Sequence, residues 1–125
     1  MVRRMDETVE LTKRNKVMDL VIAFNYGGRA EIVDAVRRIV EDRIAAAKVD
    51  ERTIAKRLYN SDIPDPDLVI RTSGESRISN FLLWEIAYSE LIFTETLWPD
   101  FRREHLFDAV REYQARERRF GEVKR

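Results

Sequence analysis

The chain has 125 residues and a formal net charge of zero; 44% of its residues are hydrophobic and 37% are charged. This composition excludes a disordered chain and favours one domain over residues 1–125, and the lack of net charge excludes a general affinity for nucleic acid. With no cysteine and one histidine, disulfides and a histidine-rich metal site are excluded, and no apolar run reaches the roughly 20 residues of a membrane span.

The first elements in chain order are a charged N-terminal segment, a strand and a long helix. Residues 1–18 are predicted to be irregular or a short helix, and they lack the apolar core of a signal peptide, so we expect a cytoplasmic protein. Residues 20–24 are continuously apolar, which predicts a strand buried on both faces. Asn25 to Gly28 follow as a turn, and apolar residues at helical spacing from Ile32 to Ile44 predict an amphipathic helix.

The second part of the chain continues the alternation of helix and strand. Asp50 is a typical N-cap for a second helix over residues 51–59, and Pro64 and Pro66 then break the chain. A short strand is predicted at 68–70, a helix within 78–87, a third strand at 91–94 and a last helix from about 102 to 119. This order predicts an α/β fold, a parallel sheet flanked by helices. Three strands are few for such a sheet and leave an apolar edge uncovered, which favours self-association.

The loop after the 68–70 strand is the most informative stretch for function. Arg71 stands at the carboxyl end of the strand, where open α/β sheets bind ligands, and Arg77 follows six residues later. Gly74 lets the backbone turn, and a helix starting near Ser79 would add free N–H groups. Guanidinium groups and hydroxyls suit phosphate or diphosphate. The alternative is an ordinary polar loop whose arginines pair with Glu75 and Asp67.

Several stretches resemble the C-terminal signature of the cis-prenyltransferase family, of the undecaprenyl diphosphate synthase type. They are AFNYGGRAEI at 23–32, DLVIRTSGE at 67–75, RISNFLLW at 77–84, AYSEL at 87–91, LWPDF at 97–101 and RERRFG at 116–121. The resemblance runs from about residue 20 to residue 121. It implies a parallel sheet flanked by helices, truncated relative to the full synthase fold.

The resemblance assigns roles to individual residues. Isopentenyl diphosphate is expected to bind Arg71, Arg77 and Ser79, and Glu90 matches the family's glutamate at the Mg²⁺ site. Glu75 is expected to orient an arginine. Expected positions that line the site or reach across a dimer are Asn25, Gly28, Arg119 and Gly121.

The family's allylic-diphosphate motif, Asp-Gly-Asn-Gly-Arg-Trp, does not occur in this sequence. That motif carries the family's catalytic and Mg²⁺-binding aspartate, so no catalytic residue is assigned here. We therefore expect a fragment of an enzyme that condenses isopentenyl diphosphate with an allylic, farnesyl-type diphosphate to make polyprenyl diphosphate, inactive alone.

Two alternatives are an accessory subunit of a heteromeric prenyltransferase and a generic phosphate-binding α/β module. The expected partners are a second copy or another prenyltransferase chain, and the lipid product would bring the protein to a membrane surface.

Overall fold

Two parallel strands lie at the centre of the structure, a computed structural model that describes residues 2–117. Strand β1 (Leu68–Arg71) pairs with β2 (Glu90–Phe93), with Leu68 opposite Glu90 and Arg71 opposite Phe93. The fold is α/β, as predicted. The helices are α1 (Val2–Thr12), α2 (Gly28–Glu41), α3 (Glu51–Ala55) and α4 (Arg103–Ala115), with short 3₁₀ turns at Ala46–Lys48 and Trp98–Asp100.

Helix α2 forms because apolar and small side chains recur at helical spacing along one face. Glu31, Ala35 and Ile39 are its buried side chains, together with the backbone of Gly28. The helix ends at Glu41, three residues before the predicted end, because the backbone turns to a positive φ of 54° at Arg43.

Helix α3 begins where the sequence predicts. The Thr53 N–H donates to Asp50 Oδ1 at 2.7 Å, which satisfies one of the free donors of the first turn. The helix covers only residues 51–55 instead of the predicted 51–59, and turns follow it.

The strand predicted at residues 20–24 is wrong. These residues have no regular secondary structure, and Leu20, Ile22 and Phe24 are 77%, 70% and 66% exposed. Within the described residues the sheet has two strands, and neither pairs with this segment. A strand needs a hydrogen-bonding neighbour and a covering layer, which residues 2–117 do not provide here.

The helix predicted within residues 78–87 is also wrong. Ser79, Asn80 and Leu82 have φ angles of 47°, 64° and 44°, which a right-handed helix does not allow. The segment instead forms turns that connect the two strands. The last helix spans 103–115 and not 102–119, while Arg119 and Gly121 lie outside the described residues.

The core of the described part is small, with Ala35, Ile39, Leu58, Ile86, Ile92 and Ala109 as its buried apolar residues. Ala109 brings α4 to this core, and Ile92 belongs to β2. Among residues 2–117, every helix is too short or too polar to traverse a bilayer.

Candidate functional site

The loop after β1 is held in place by continued pairing with the chain after β2. Thr94 N–H donates to the Arg71 carbonyl, and Gly74 N–H donates to the Thr94 carbonyl, both at 2.9 Å. Ser73 N–H reaches the Thr96 carbonyl at the same distance. The backbone from Arg71 to Gly74 is therefore fixed at the carboxyl end of the sheet.

Glycine is favoured at position 74 chiefly by the backbone angle. Its φ is +68°, a left-handed conformation that favours glycine, and a Cβ at this position would overlap Glu95 Oε2. The Glu95 carboxylate is the end of a flexible side chain, so the backbone angle is the stronger constraint.

One carboxylate engages both arginines of the loop. Arg71 Nη2 donates to Glu75 Oε2, and Arg77 Nη2 donates to Glu75 Oε1 at 2.7 Å. The hydrogen bond from Arg71 holds the pKa of Glu75 below its usual value, so this carboxylate is ionised at neutral pH. The pairing of the arginines with Glu75 is the arrangement that the ordinary polar loop also predicts.

The two guanidinium groups keep donors that Glu75 does not use. A guanidinium has five N–H donors in a fixed plane. The Nε of Arg71 is buried and has no hydrogen-bond partner among the described residues. The Arg77 side chain is 67% exposed, so its remaining donors face solvent.

Arg71, Thr72 and Arg77 border a cavity of about 260 Å³ whose other lining residues are apolar. The apolar side chains come from β1, β2 and the segment between them: Val69, Ile70, Ile78, Phe81, Ile86, Leu91 and Phe93. Leu91 and Phe93 alternate with the buried Ile92, so they lie on one face of β2. The cavity thus combines cationic donors with an apolar wall.

Ser79 and Asn80 occupy the strained part of the connecting segment, beside the start of α2. Gly28 N–H donates to the Asn80 carbonyl at 2.8 Å, and Arg29 N–H donates to Asn80 Oδ1 at 2.9 Å. A Cβ on Gly28 would lie 2.9 Å from the Leu83 nitrogen, so only glycine allows this approach. Gly28 thus positions the segment that carries Ser79.

Neither Ser79 nor Asn25 lines the cavity itself. Asn25 is exposed and has a φ of 52° in the turn before α2. The structure therefore brings together Arg71, Arg77 and Glu75 from the predicted set. Ser79 follows Arg77 by two residues but does not line the cavity.

Glu90 lies at the opposite end of the sheet from the loop of residues 71–77, which we call the arginine loop. It opens β2 beside Leu68, whereas Arg71 is the last residue of β1, about 10 Å away along the strand. Its Oε2 accepts a hydrogen bond from Arg116 Nη1 at 2.8 Å. No cluster of three metal-ligating side chains occurs in the part of the chain that is described. These residues do not by themselves fit a resident Mg²⁺ ion.

The apolar wall of the cavity was not predicted as part of the site. Phe81 and Phe93 are 40% and 41% exposed and line the cavity. The sequence signal is the apolar run from Leu91 to Phe93. Because successive side chains of a strand point to opposite faces, Leu91 and Phe93 share the face next to the arginines.

Comparisons with known proteins agree on one family. The prenyltransferase family model for undecaprenyl diphosphate synthases matches residues 1–121. An isoprenyl transferase from Fusobacterium nucleatum is 57% identical over 98% of the chain and 52% of its own length, and one from Thermotoga maritima is 52% identical over 96% of the chain and 52% of its own length. The chain spans about half the length of the curated relatives it matches.

A solved structure shows the same fold. The crystal structure of lavandulyl diphosphate synthase from Lavandula x intermedia, in complex with dimethylallyl diphosphate, matches with a TM-score of 0.89 at 38% identity. The match covers 97% of this chain and 54% of that one.

Proposed function

The chain belongs to the undecaprenyl diphosphate synthase family, and we propose that it binds isopentenyl diphosphate in the cavity beside Arg71 and Arg77. The observation that carries this proposal is that the cavity is lined by cationic donors on one side and by apolar side chains on the other. A diphosphate needs several charged donors, and a five-carbon chain needs an apolar wall. Both are present within one cavity of about 260 Å³.

The two arginines would hold the diphosphate through donors that Glu75 leaves unused. The unpartnered Nε of Arg71 is a buried donor, and a phosphate oxygen would remove the cost of leaving it unsatisfied. Glu75 would keep both guanidinium groups in position before the substrate arrives, which lowers the ordering cost of binding. Ser79 would add a hydroxyl from the adjoining segment.

The apolar side chains would place the isopentenyl group. Phe81, Leu91 and Phe93 border the cavity, so the carbon chain would lie against them with its double bond held at a fixed distance from the diphosphate. Orientation of this kind is a large part of catalysis in a condensation between two substrates.

We propose that the whole enzyme elongates an allylic diphosphate with isopentenyl diphosphate to give a polyprenyl diphosphate. Residues 2–117 carry no group that we assign to the allylic diphosphate, so this chain alone should bind isopentenyl diphosphate without transferring it. Mg²⁺ would enter this proposal through oxygen ligands of the substrate and of residues outside 2–117, because Glu90 lies at the opposite end of the sheet from the arginines.

Exposed apolar side chains favour a second candidate, an accessory subunit of a heteromeric prenyltransferase. Leu20, Ile22 and Phe24 are exposed although their pattern is that of a buried strand. A second copy of this chain or a longer homologue would cover them. Co-purification with a longer prenyltransferase, together with transfer of radiolabelled isopentenyl groups only in its presence, would distinguish this candidate from a self-sufficient enzyme.

A pair of ligands with equal charge tests the binding proposal. Isopentenyl diphosphate and methyl diphosphate would be titrated into the ¹⁵N-labelled chain, with the amides of residues 71–80 as the reporter. We expect isopentenyl diphosphate to bind at least about fivefold more tightly, because each buried methylene contributes about 0.8 kcal/mol. Phe93→Ala should reduce this preference and leave the affinity for methyl diphosphate within about twofold. Equal affinity of the unmodified chain for both ligands would contradict a role for the apolar wall.

A further inference from the structure

A second cationic cavity lies at the far end of α2 from the arginine loop. Helix α2 starts at Gly28, next to Asn80, and ends 14 residues later, so its two ends are about 20 Å apart. The cavity beyond its C-terminal end has a volume of about 730 Å³ and is lined by residues between 42 and 57. We call it the 43–57 cavity; its cationic side chains are Arg43, Lys48, Arg52, Lys56 and Arg57.

The two carboxylates of this cavity are already engaged. Asp42 Oδ2 accepts hydrogen bonds from Arg57 Nη2 at 2.7 Å and Arg57 Nε at 3.2 Å. Asp50 Oδ1 accepts the Thr53 N–H as the cap of α3. Asp42 thus forms an ion pair with Arg57, while Asp50 caps α3 and keeps its charge.

The five cationic side chains of this cavity outnumber its two carboxylates by three. Within residues 2–117, no ion pair engages the side chains of Arg43, Lys48, Arg52 or Lys56, and all four residues are exposed. The chain as a whole has no net charge, so this is a local excess around a concave surface. Like charges held around one cavity repel each other, and a bound anion would relieve that repulsion.

Arg43 stands where a helix end ordinarily favours glycine. Arg43 N–H donates to the Val40 carbonyl at 3.0 Å, and Ile44 N–H donates to the Ile39 carbonyl at 3.2 Å, which is a Schellman motif. The residue with positive φ in this motif is usually glycine, yet here it is an arginine at 54°. The motif also satisfies the carbonyl groups of Ile39 and Val40 near the end of α2.

We propose that the 43–57 cavity binds phosphate groups, carried by a small polyanion such as diphosphate or by the headgroup of an anionic lipid. Guanidinium groups donate paired hydrogen bonds to phosphate oxygens, and lysines add mobile point charges. The site is separate from the proposed isopentenyl diphosphate site and does not depend on it.

Site-resolved titration tests this proposal on the full chain. Inorganic diphosphate would be added to the ¹⁵N-labelled protein at about 0.1 M salt, where charges more than about 10 Å apart are screened. We expect saturable shifts of the amides of residues 43–57. The variant Lys48→Gln/Arg52→Gln/Lys56→Gln should weaken binding at these amides at least about tenfold. The matched variant Arg4→Gln/Arg14→Gln/Lys16→Gln, with the same change in net charge, should leave it within about twofold.

A vesicle experiment identifies the source of the phosphate. The protein would be co-sedimented with vesicles of phosphatidylglycerol and phosphatidylcholine. Binding that is lost in the Lys48→Gln/Arg52→Gln/Lys56→Gln variant, and absent with phosphatidylcholine alone, would support a lipid headgroup. Diphosphate binding without vesicle binding would support a small polyanion. Equal losses in the two triple variants, or the absence of both kinds of binding, would overturn the proposal. Failure of the isopentenyl diphosphate site would show separately, at the amides of residues 71–80.

Discussion

Glu75 accepts hydrogen bonds from Arg71 and Arg77 at once, one guanidinium on each carboxylate oxygen. A single side chain thus fixes the spacing of the two cations that border the cavity. The carboxylate lowers the net charge of the site, but it also holds two long side chains in one geometry. Holding each long side chain in place contributes about 0.5–1.5 kcal/mol to binding.

We therefore expect Glu75→Ala to weaken isopentenyl diphosphate binding by about three- to tenfold. Titration of the amides of residues 71–80 measures this affinity. Glu41→Ala, at the far end of α2, serves as the control and should leave affinity unchanged. Tighter binding by Glu75→Ala would show that charge repulsion outweighs positioning.

Gly74→Ala should distort the arginine loop for two separable reasons. The positive φ costs on the order of 1–2 kcal/mol for a residue with a Cβ, and the added methyl group would overlap Glu95. Thermal unfolding should show a lower midpoint for Gly74→Ala. The double variant Gly74→Ala/Glu95→Ala should recover part of this loss, because it removes the overlap and leaves the backbone strain. No difference between the single and double variants would show that Glu95 moves aside freely.

The half-buried carboxyl group of Glu85 predicts a loss of stability with rising pH. Burial raises the pKa of Glu85, and the neighbouring Glu31 raises it further. A carboxyl whose pKa is higher in the folded state stabilises the fold fully below its unfolded value near 4.5 and loses that contribution as pH rises through the folded value. Glu85→Gln should therefore flatten the decline in unfolding midpoint above pH 4.5.

The control for this pH dependence is Glu41→Gln, at an exposed position of α2. Its midpoint should follow pH as the unmodified chain does. A decline that persists unchanged in Glu85→Gln would assign the pH dependence to other groups.

Arg43→Gly should separate stability from binding. Glycine adopts the left-handed conformation at the end of α2 without strain, so the unfolding free energy should rise by on the order of 1 kcal/mol. The same change removes one cation from the 43–57 cavity, so diphosphate binding at these amides should weaken. A variant that gains stability and keeps its diphosphate affinity would show that Arg43 contributes nothing to an anion site.

The sequence predicted the elements whose signals are local. Strand β1 is a short apolar run that ends at Arg71, and α2 has apolar and small residues at helical spacing. Asp50 capped α3 as expected because N-capping depends only on the next three residues.

Two elements that depend on distant contacts were predicted wrongly. Residues 20–24 have the pattern of a buried strand, but burial needs a partner that residues 2–117 do not supply. The 78–87 segment is apolar enough for a helix, but its path is set by the contacts of Asn80 and Leu83 with the start of α2. Likewise, the family resemblance assigned Arg71 and Arg77 to the site. The apolar wall with Phe93 was not predicted, because it depends on the pairing of β1 with β2.

The central claim is that Arg71 and Arg77 bind the diphosphate of isopentenyl diphosphate. Titration of the ¹⁵N-labelled chain with this ligand, read at the amides of residues 71–80, tests it most directly. Each charge-assisted contact contributes about 1.5–3 kcal/mol, so Arg71→Ala/Arg77→Ala should weaken binding at least about 100-fold. The control Arg37→Ala, on α2, should leave the affinity within about twofold. Binding that survives the double substitution would contradict the account.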